Sequence, residues 1–380
     1  MKTIIFYIKD RIAAQMHRLQ DFVIYHVLPN NKKQTGETKK INHKKHPPFN
    51  FTWRGLHLDV ARHMVSTGYI KELIVSMHDL GLNMLHLHLS DDQGFRIEIK
   101  SYPRLHTIGS IRRETVIGKN FVPFTNIYKG DKTPYGGYYT QEELRDIVSF
   151  AKQYDITIVP EIDIPGHATA ILAAYPEYAH SIPPKEVATY WGIFDNMLKA
   201  DNITALFLEQ VFTEVLDIFD SPHVHIGGDE VNVSGYDNFF LLDHISKYLV
   251  SKGRIPVVWD EAVDIAQKYN GVVMVWRSEL ELQDALRKKV KTVCALSSHL
   301  YFDYYQHPKT SKEPLAIGGY TPISKVKKIK PILEKYRFSP EGDYLIGSQA
   351  QMWTEYTKTE KDISYMIFPR LEVFSVTIGG

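Results

Sequence analysis

From about residue 49 onward the chain alternates between short, densely apolar runs and longer stretches whose apolar residues fall at helical spacing. FTWRGLHLDVA predicts a first strand. LNMLHLHLSDD predicts a second, and its leucines and methionine suit a strand buried on both faces. Between them GYIKELIVSMHDLG has helical period and stops at Gly81. TQEELRDIVSFAKQYD opens on a capping box, Thr140 with Glu143 three residues on, and leads into a third strand, ITIVPEIDIPGH. An amphipathic LFLEQVFTEVLDIFD precedes HVHIGGDE, the fourth strand, and FFLLDHISKYLVSKG precedes IPVVWDEA, the fifth. GVVMVWRS, TVCALSSHLYFD and YLIGSQAQMWTEY complete the set, and DISYMIFPRLEVFSV is again helical in period.

Eight strands, most of them separated by helices, predict a parallel sheet closed into a (β/α)8 TIM barrel. A doubly wound open sheet would need a glycine-rich phosphate loop after its first strand. Gly227-Gly228 does not supply one, lacking a third glycine and a helix start behind it.

Residues 1–48 break the alternation. A loosely helical stretch gives way to NNKKQTGETKKINHKKHPP, a polar, lysine-rich linker closed by Pro47-Pro48, so the catalytic barrel is expected over 49–380 behind a short basic extension. Residues 1–50 hold ten lysines and arginines against three acids, a balance of +7. The rest of the chain therefore carries −6 to reach the formal net charge of +1. That total gives no reason to expect nucleic acid or an anionic membrane as partner. No apolar run reaches the roughly 18 residues of a membrane span. Lys9, Asp10 and Arg11 interrupt the opening MKTIIFYI too early for a signal peptide, so the chain as written is expected to be cytoplasmic. The single cysteine, Cys294, excludes an intrachain disulfide and a thiolate zinc site.

Barrel enzymes place their chemistry at the C-terminal ends of the strands. In strand order those ends read Arg54 and Asp59; Asp91 and Asp92; Asp163 and His167; Asp229 and Glu230; Trp259, Asp260 and Glu261; Trp276 and Arg277; Tyr301 and Asp303; Trp353 and Glu355. Carboxylates at seven of the eight ends and tryptophans at three exceed what folding requires. Aromatic faces among hydrogen-bonding acids suit a pyranose, which has apolar C–H faces and a hydroxyl edge. Adjacent acids on one strand point opposite ways, so Asp229 and Glu230 cannot readily flank one bond as acid and nucleophile. A substrate that brings its own nucleophile, an acetamido group on C2, resolves the difficulty.

HIGGDE resembles the catalytic motif of glycoside hydrolase family 20, the β-N-acetylhexosaminidases. WRGLHLDVARH, LNMLHLHLSDDQGFRIEIKSYPRL, VPEIDIPGHATA, QAQMWTE and FPRL are similar to other segments of that family, in the expected order over residues 49–375. The resemblance implies retaining, substrate-assisted removal of a terminal β-linked N-acetylhexosamine, with no cofactor or metal. It implies Glu230 as general acid/base and Asp229 as the partner of the acetamido nitrogen. Tyr301 would bond the acetamido oxygen, and Trp259, Trp276 and Trp353 would wall the pocket. Arg54 would take the 3- and 4-hydroxyls, and Asp303 and Glu355 the 4- and 6-hydroxyls. Asp92 (or Asp91, otherwise counted with the substrate-binding groups) and His167, with Asp163 near them, would form a relay behind Glu230. The glycines before Asp229 would leave room for the sugar.

Two other readings start from the same residues. His86 and His88 share one face of the second strand and could hold a metal, as in an amidohydrolase. A sugar-binding barrel without turnover is suggested by a basic segment too short for a complete accessory domain. The brief EVFSVTIGG after FPRL points the same way, predicting a curtailed last helix and lowered stability. Loops 110–138 and 176–196 would set the aglycone, with Trp191 offered to a second sugar or to the core.

Overall fold

Strands apolar on both faces cannot leave either face in water, and in the computed structural model they close on themselves. The structure describes residues 51–119, 128–231 and 236–379; the basic extension expected over 1–48 lies outside the described residues. The strands are β1 (Trp53–Asp59), β2 (Met84–His88), β3 (Thr157–Ile164), β4 (His223–Gly227), β5 (Ile255–Trp259), β6 (Val272–Val275), β7 (Lys291–Cys294) and β8 (Leu345–Met352). They pair in that order, all parallel, and β8 closes the barrel on β1.

Helices α1 (Thr67–Asp79), α2 (Gln141–Lys152), α3 (Asn202–Ile218) and α4 (Phe240–Ser251) fall where the apolar period predicts them. The capping box of α2 is formed: Thr140 Oγ1 accepts the Glu143 N–H at 3.2 Å, and Glu143 Oε2 accepts the Thr140 N–H at 2.8 Å. Residues 263–268, 279–287 and 329–337 add helices that are nine residues or shorter, too brief for their period to announce them. The last helical stretch is two helices, Glu360–Ile367 and Arg370–Ile378, interrupted at Pro369, which has no N–H to continue the ladder. The outward residues of β1 and β8 beside it, Leu56, Leu58, Ala350 and Met352, are fully buried. No helix among the described residues is long and apolar enough to cross a membrane.

Alternation along each strand divides the side chains between two cores. In β1, Leu56 and Leu58 face the helices and join the larger core, while Trp53 packs in the barrel with Val159, Val257, Trp259, Val272, Met274, Val293 and Ala295. Gly55 shares the inward parity, and a side chain there would collide with Gln349 and the Trp53 ring. Toward the strand ends the same parity turns polar. His57, Asp59, His86, His88, Glu161, Asp163, His225, Gln349 and Gln351 are all at most 1% exposed. Several of them bond or pair with one another, Glu161 with His86, His88 and His225, and Gln349 with His86, and that network forms the floor of the site.

Candidate active site

Above this floor, at the C-terminal ends of the strands, lies a cavity of about 190 Å³. Every residue expected there lines it except Arg54 and Asp92, and Arg62, Tyr304 and Ile317 line it as well.

Arg54 is the clear correction. It is the second residue of β1, at the opposite end of the barrel, and it shares the outward parity of Leu56 and Leu58. Its guanidinium donates to the carbonyls of Gly81 at 2.7 Å and Phe51 at 2.6 Å, out of reach of any ligand at the mouth. Arg54→Met is therefore expected to lower Tm by about 1–3 °C and leave KM within about twofold, read by thermal melting and steady-state kinetics.

The arginine of the site is Arg62, three residues beyond the end of β1. It pairs with Asp91 at 2.6 Å, Asp59 at 3.2 Å and Glu355 at 3.8 Å. Burial opposes its charge, but Asp91, Glu355 and Asp59 together hold its pKa well above the ordinary value. Asp59, whose Oδ1 accepts the N–H groups of Ala61 at 2.8 Å and Arg62 at 3.1 Å, shapes the loop that turns Arg62 inward.

Behind Glu230 stands His167. Its Nε2 is 3.4 Å from Glu230 Oε2 and 3.9 Å from Asp229 Oδ2, while its Nδ1 is 3.3 Å from both Asp91 Oδ1 and Asp92 Oδ2. Asp91 lines the cavity and Asp92 sits behind it, accepting the Thr169 N–H at 3.0 Å, so both aspartates bear on His167. Burial alone would strip the proton from His167. Asp91 and Asp229 outweigh that and hold its pKa well above the ordinary value. Asp91 is held well below the carboxylate range, burial notwithstanding, by Arg62 and His167. Glu230 (φ 54°) and His167 (φ 48°) both occupy the left-handed region, which costs a non-glycine residue about 1–3 kcal/mol and concentrates at functional sites.

Asp229 is more enclosed than Glu230, whose side chain retains 28% of its surface against 12%. Burial, with Asp163 beside it, raises the Asp229 pKa well above the usual range, and burial raises that of Asp163 likewise. The two glycines shape this arrangement. Gly227 (φ 72°) lies so close to Asp163 that any side chain would collide with its carboxylate, and the Gly228 N–H donates to Asp163 Oδ1 at 3.2 Å.

Aromatic rings wall the cavity from the later strands. Trp276 and Tyr301 lie nearly parallel, 6.3 Å apart, and Trp276 Nε1–H donates to Glu261 Oε2 at 3.2 Å. Trp259 Nε1–H donates to Glu161 at 3.0 Å, and Arg62 covers the face of Trp353 at 5.3 Å. Tyr301 and Asp303 come from a loop beyond a helical turn at Ser297–Leu300, not from the end of β7. Arg370, from the FPRL segment, secures that loop by donating to the carbonyls of Phe302, Tyr304 at 2.9 Å and Thr321 at 3.0 Å. Burial, and then Glu355 nearby, raises the pKa of Asp303; burial raises that of Glu355 against the pull of Arg62. Trp191 packs with Val116 and Tyr356 in a small core under the loops, 7% exposed, and has no face free for a sugar.

The metal reading of His86 and His88 meets a different geometry. Histidines and acids approach closely at His57–His86–Glu161, His88–Glu161–Asp163 and Asp91–Asp163–His167. In each group a carboxylate is already engaged by a neighbouring imidazole, making a closed network of hydrogen bonds and ion pairs. Besides Arg62, sequence reasoning passed over Glu161, although its odd spacing with Asp163 placed it on the inward face of the third strand.

Residues 51–240 and 233–375 match the Glycosyl hydrolase family 20 catalytic domain. The chain is 35% identical to a beta-hexosaminidase of Porphyromonas gingivalis over 343 residues, 84% of this chain and 42% of that protein. It is 32% identical to a beta-hexosaminidase of Vibrio furnissii, over 84% of this chain and 55% of the relative. It thus spans about half the length of these two curated relatives. Its fold superposes on a GH20 beta-N-acetylhexosaminidase from Streptomyces coelicolor A3(2) with a TM-score of 0.74 and 27% identity, covering 87% of this chain and 64% of that one. For a GH20 exo beta-N-acetylglucosaminidase from Vibrio harveyi the TM-score is 0.71, with 30% identity over 87% and 54% of the two chains. With its barrel, its paired acids and nearly all its described length accounted for in this way, the chain belongs to glycosyl hydrolase family 20.

Proposed function

We propose that the protein removes terminal, non-reducing β-linked N-acetylglucosamine or N-acetylgalactosamine with retention, the substrate's acetamido group acting as nucleophile. The observation that carries this reading is the division of labour between neighbouring acids. Glu230 is partly open and paired with His167, whereas Asp229 is enclosed beside Asp163. They do not stand on opposite faces of one site, as an acid and a protein nucleophile must. The cavity, about 190 Å³, is well below the roughly 300–1,000 Å³ of pockets for drug-sized ligands, and suits a single sugar ring.

In the first step the acetamido oxygen attacks C1, the glycosidic bond breaks, and the Glu230 proton passes to the leaving oxygen. Positive charge then spreads over an oxazolinium ring, and Asp229 stabilises it through the ring N–H. Burial, and for Asp229 the neighbouring Asp163, keeps the two acids from both ionising easily, so the charge of the intermediate finds a carboxylate whose ionisation it favours. In the second step water gives a proton to Glu230 and attacks C1, opening the ring with net retention. Arg62, Asp303, Glu355 and Tyr301 line the same cavity, which supports the first three as partners of the sugar hydroxyls and Tyr301 as partner of the acetamido oxygen.

The test compares an aryl β-N-acetylglucosaminide with the unacetylated glucosaminide. The acetylated substrate should be hydrolysed and the other far more slowly, and Asp229→Asn should lower kcat on the first by about 10²–10³-fold. Equal rates on both sugars would mean that the protein, not the substrate, supplies the nucleophile.

A further inference from the structure

Beneath the acids lies a set of buried groups that the reaction above does not use. Glu161 of β3 accepts the His88 Nδ1–H at 2.5 Å, and His225 and His86 lie 2.9 and 3.1 Å from its oxygens. His88 presents its other nitrogen, Nε2, to Asp91 Oδ2 at 2.9 Å. Asp91 meets His167, and His167 meets Glu230. A continuous series of contacts therefore runs from the middle of the barrel to the group that transfers the proton.

We propose that His88 and Glu161 are positioning residues for acid–base catalysis, acting on Glu230 through Asp91 and His167. This rests on the reading of Glu230 as the general acid.

The geometry of Asp91 makes the case. Its Oδ2 is held by His88 at 2.9 Å and Arg62 at 2.6 Å, and its Oδ1 by the Asp92 N–H at 2.5 Å, which fixes Oδ1 toward His167. To contact Glu161 and Asp91 as donor at once, His88 must carry a proton on both nitrogens. Burial works against that, but Glu161 and Asp91 hold its pKa up to about 10. Glu161 stays ionised despite burial because His225, His88 and His86 surround it. The neighbouring His57 ring, 5.7 Å away, adds no charge, since burial together with His86 and His88 keeps it neutral. A neutral His88 could donate to only one of its two carboxylates, and Asp91, though still bonded to Arg62 and the Asp92 N–H, would lose one of the two donors that fix its Oδ2. The imidazole that must stay charged and aligned while Glu230 loses and regains its proton would then be held less firmly.

The experiment uses His88→Gln and Glu161→Gln in the full chain, with aryl β-N-acetylglucosaminides of different leaving-group acidity. General-acid help matters most for a weakly acidic aglycone. In kcat/KM, which reports formation of the intermediate, both variants should lose about tenfold or more with 4-methylumbelliferyl and less than about threefold with 2,4-dinitrophenyl. Losses equal across the two aglycones, or no loss, would overturn the proposal and leave His88 and Glu161 a purely structural role. A variant that fails to fold is replaced by a measurement on the native chain, labelled with ¹⁵N-histidine. Doubly protonated imidazoles should persist to about pH 9, and a second of them beyond His167 should shift when a thiazoline mimic of the oxazolinium ring binds. Only one such imidazole, or none that responds, would sink the idea equally well. Absence of turnover by the native chain on both aglycones would count instead against the hydrolase reading itself.

Discussion

Glu230→Gln is expected to lower kcat/KM on 4-methylumbelliferyl β-N-acetylglucosaminide by about 10²–10⁴-fold, the range general acid–base catalysis contributes. A glutamine would keep the size of the side chain and a contact to His167, but it could neither give a proton to the leaving oxygen nor take one from water. The two steps should separate by aglycone. A dinitrophenolate departs without help, so formation of the intermediate should survive while its hydrolysis, which needs a base, becomes rate-limiting. The left-handed backbone at Glu230 bears on the control. Glutamine has the same backbone preference as glutamate, so the variant should melt within about 1 °C of the native protein, the change expected when no mechanism of destabilisation is engaged. A native-like rate in the variant would remove Glu230 from the chemistry.

Arg62→Met should be the most damaging change to the fold itself. Asp59, Asp91 and Glu355 all converge on one guanidinium that retains only 7% of its side-chain surface. Removing the cation takes from these carboxylates the one positive charge they share, and breaking such a buried pair typically costs about 3–5 kcal/mol. For a chain of this size the fall in Tm is on the order of 10 °C. Arg62→Lys should recover part of the stability but little of the affinity, because a point charge cannot span three carboxylates and a sugar hydroxyl as a planar fork does. An Arg62→Met protein that melted like the native one would show that the network relaxes or takes up protons instead. The contrast with Arg54→Met separates the arginine that serves the mouth from the one that ties down the bottom of β1.

Much of the architecture is legible in the sequence itself. Changes of period marked all eight strands and the four longest helices between them, and the Thr140–Glu143 capping box marked the start of α2. These are local signals, carried within a few residues, and the backbone obeyed them. The adjacency of Asp229 and Glu230 was equally legible, since it is covalent. The shorter helices were not, because six to nine residues span too few turns for amphipathic spacing to stand out from chance.

What the chain alone determined was therefore the order of the elements, the end of the barrel where polar residues gather, and the adjacency of Asp229 and Glu230. Which arginine meets them was decided only in three dimensions. Arg54 and Arg62 lie eight residues apart in one motif, and strand parity plus the turn at Asp59 sends the first to the bottom and the second into the cavity. Closure of the barrel also joined residues remote in sequence: His88 with Glu161, 73 positions apart, and Asp163 beneath a glycine 64 positions on. Contacts of that kind follow from how strands are ordered around the ring, and no periodicity within a strand encodes its neighbour.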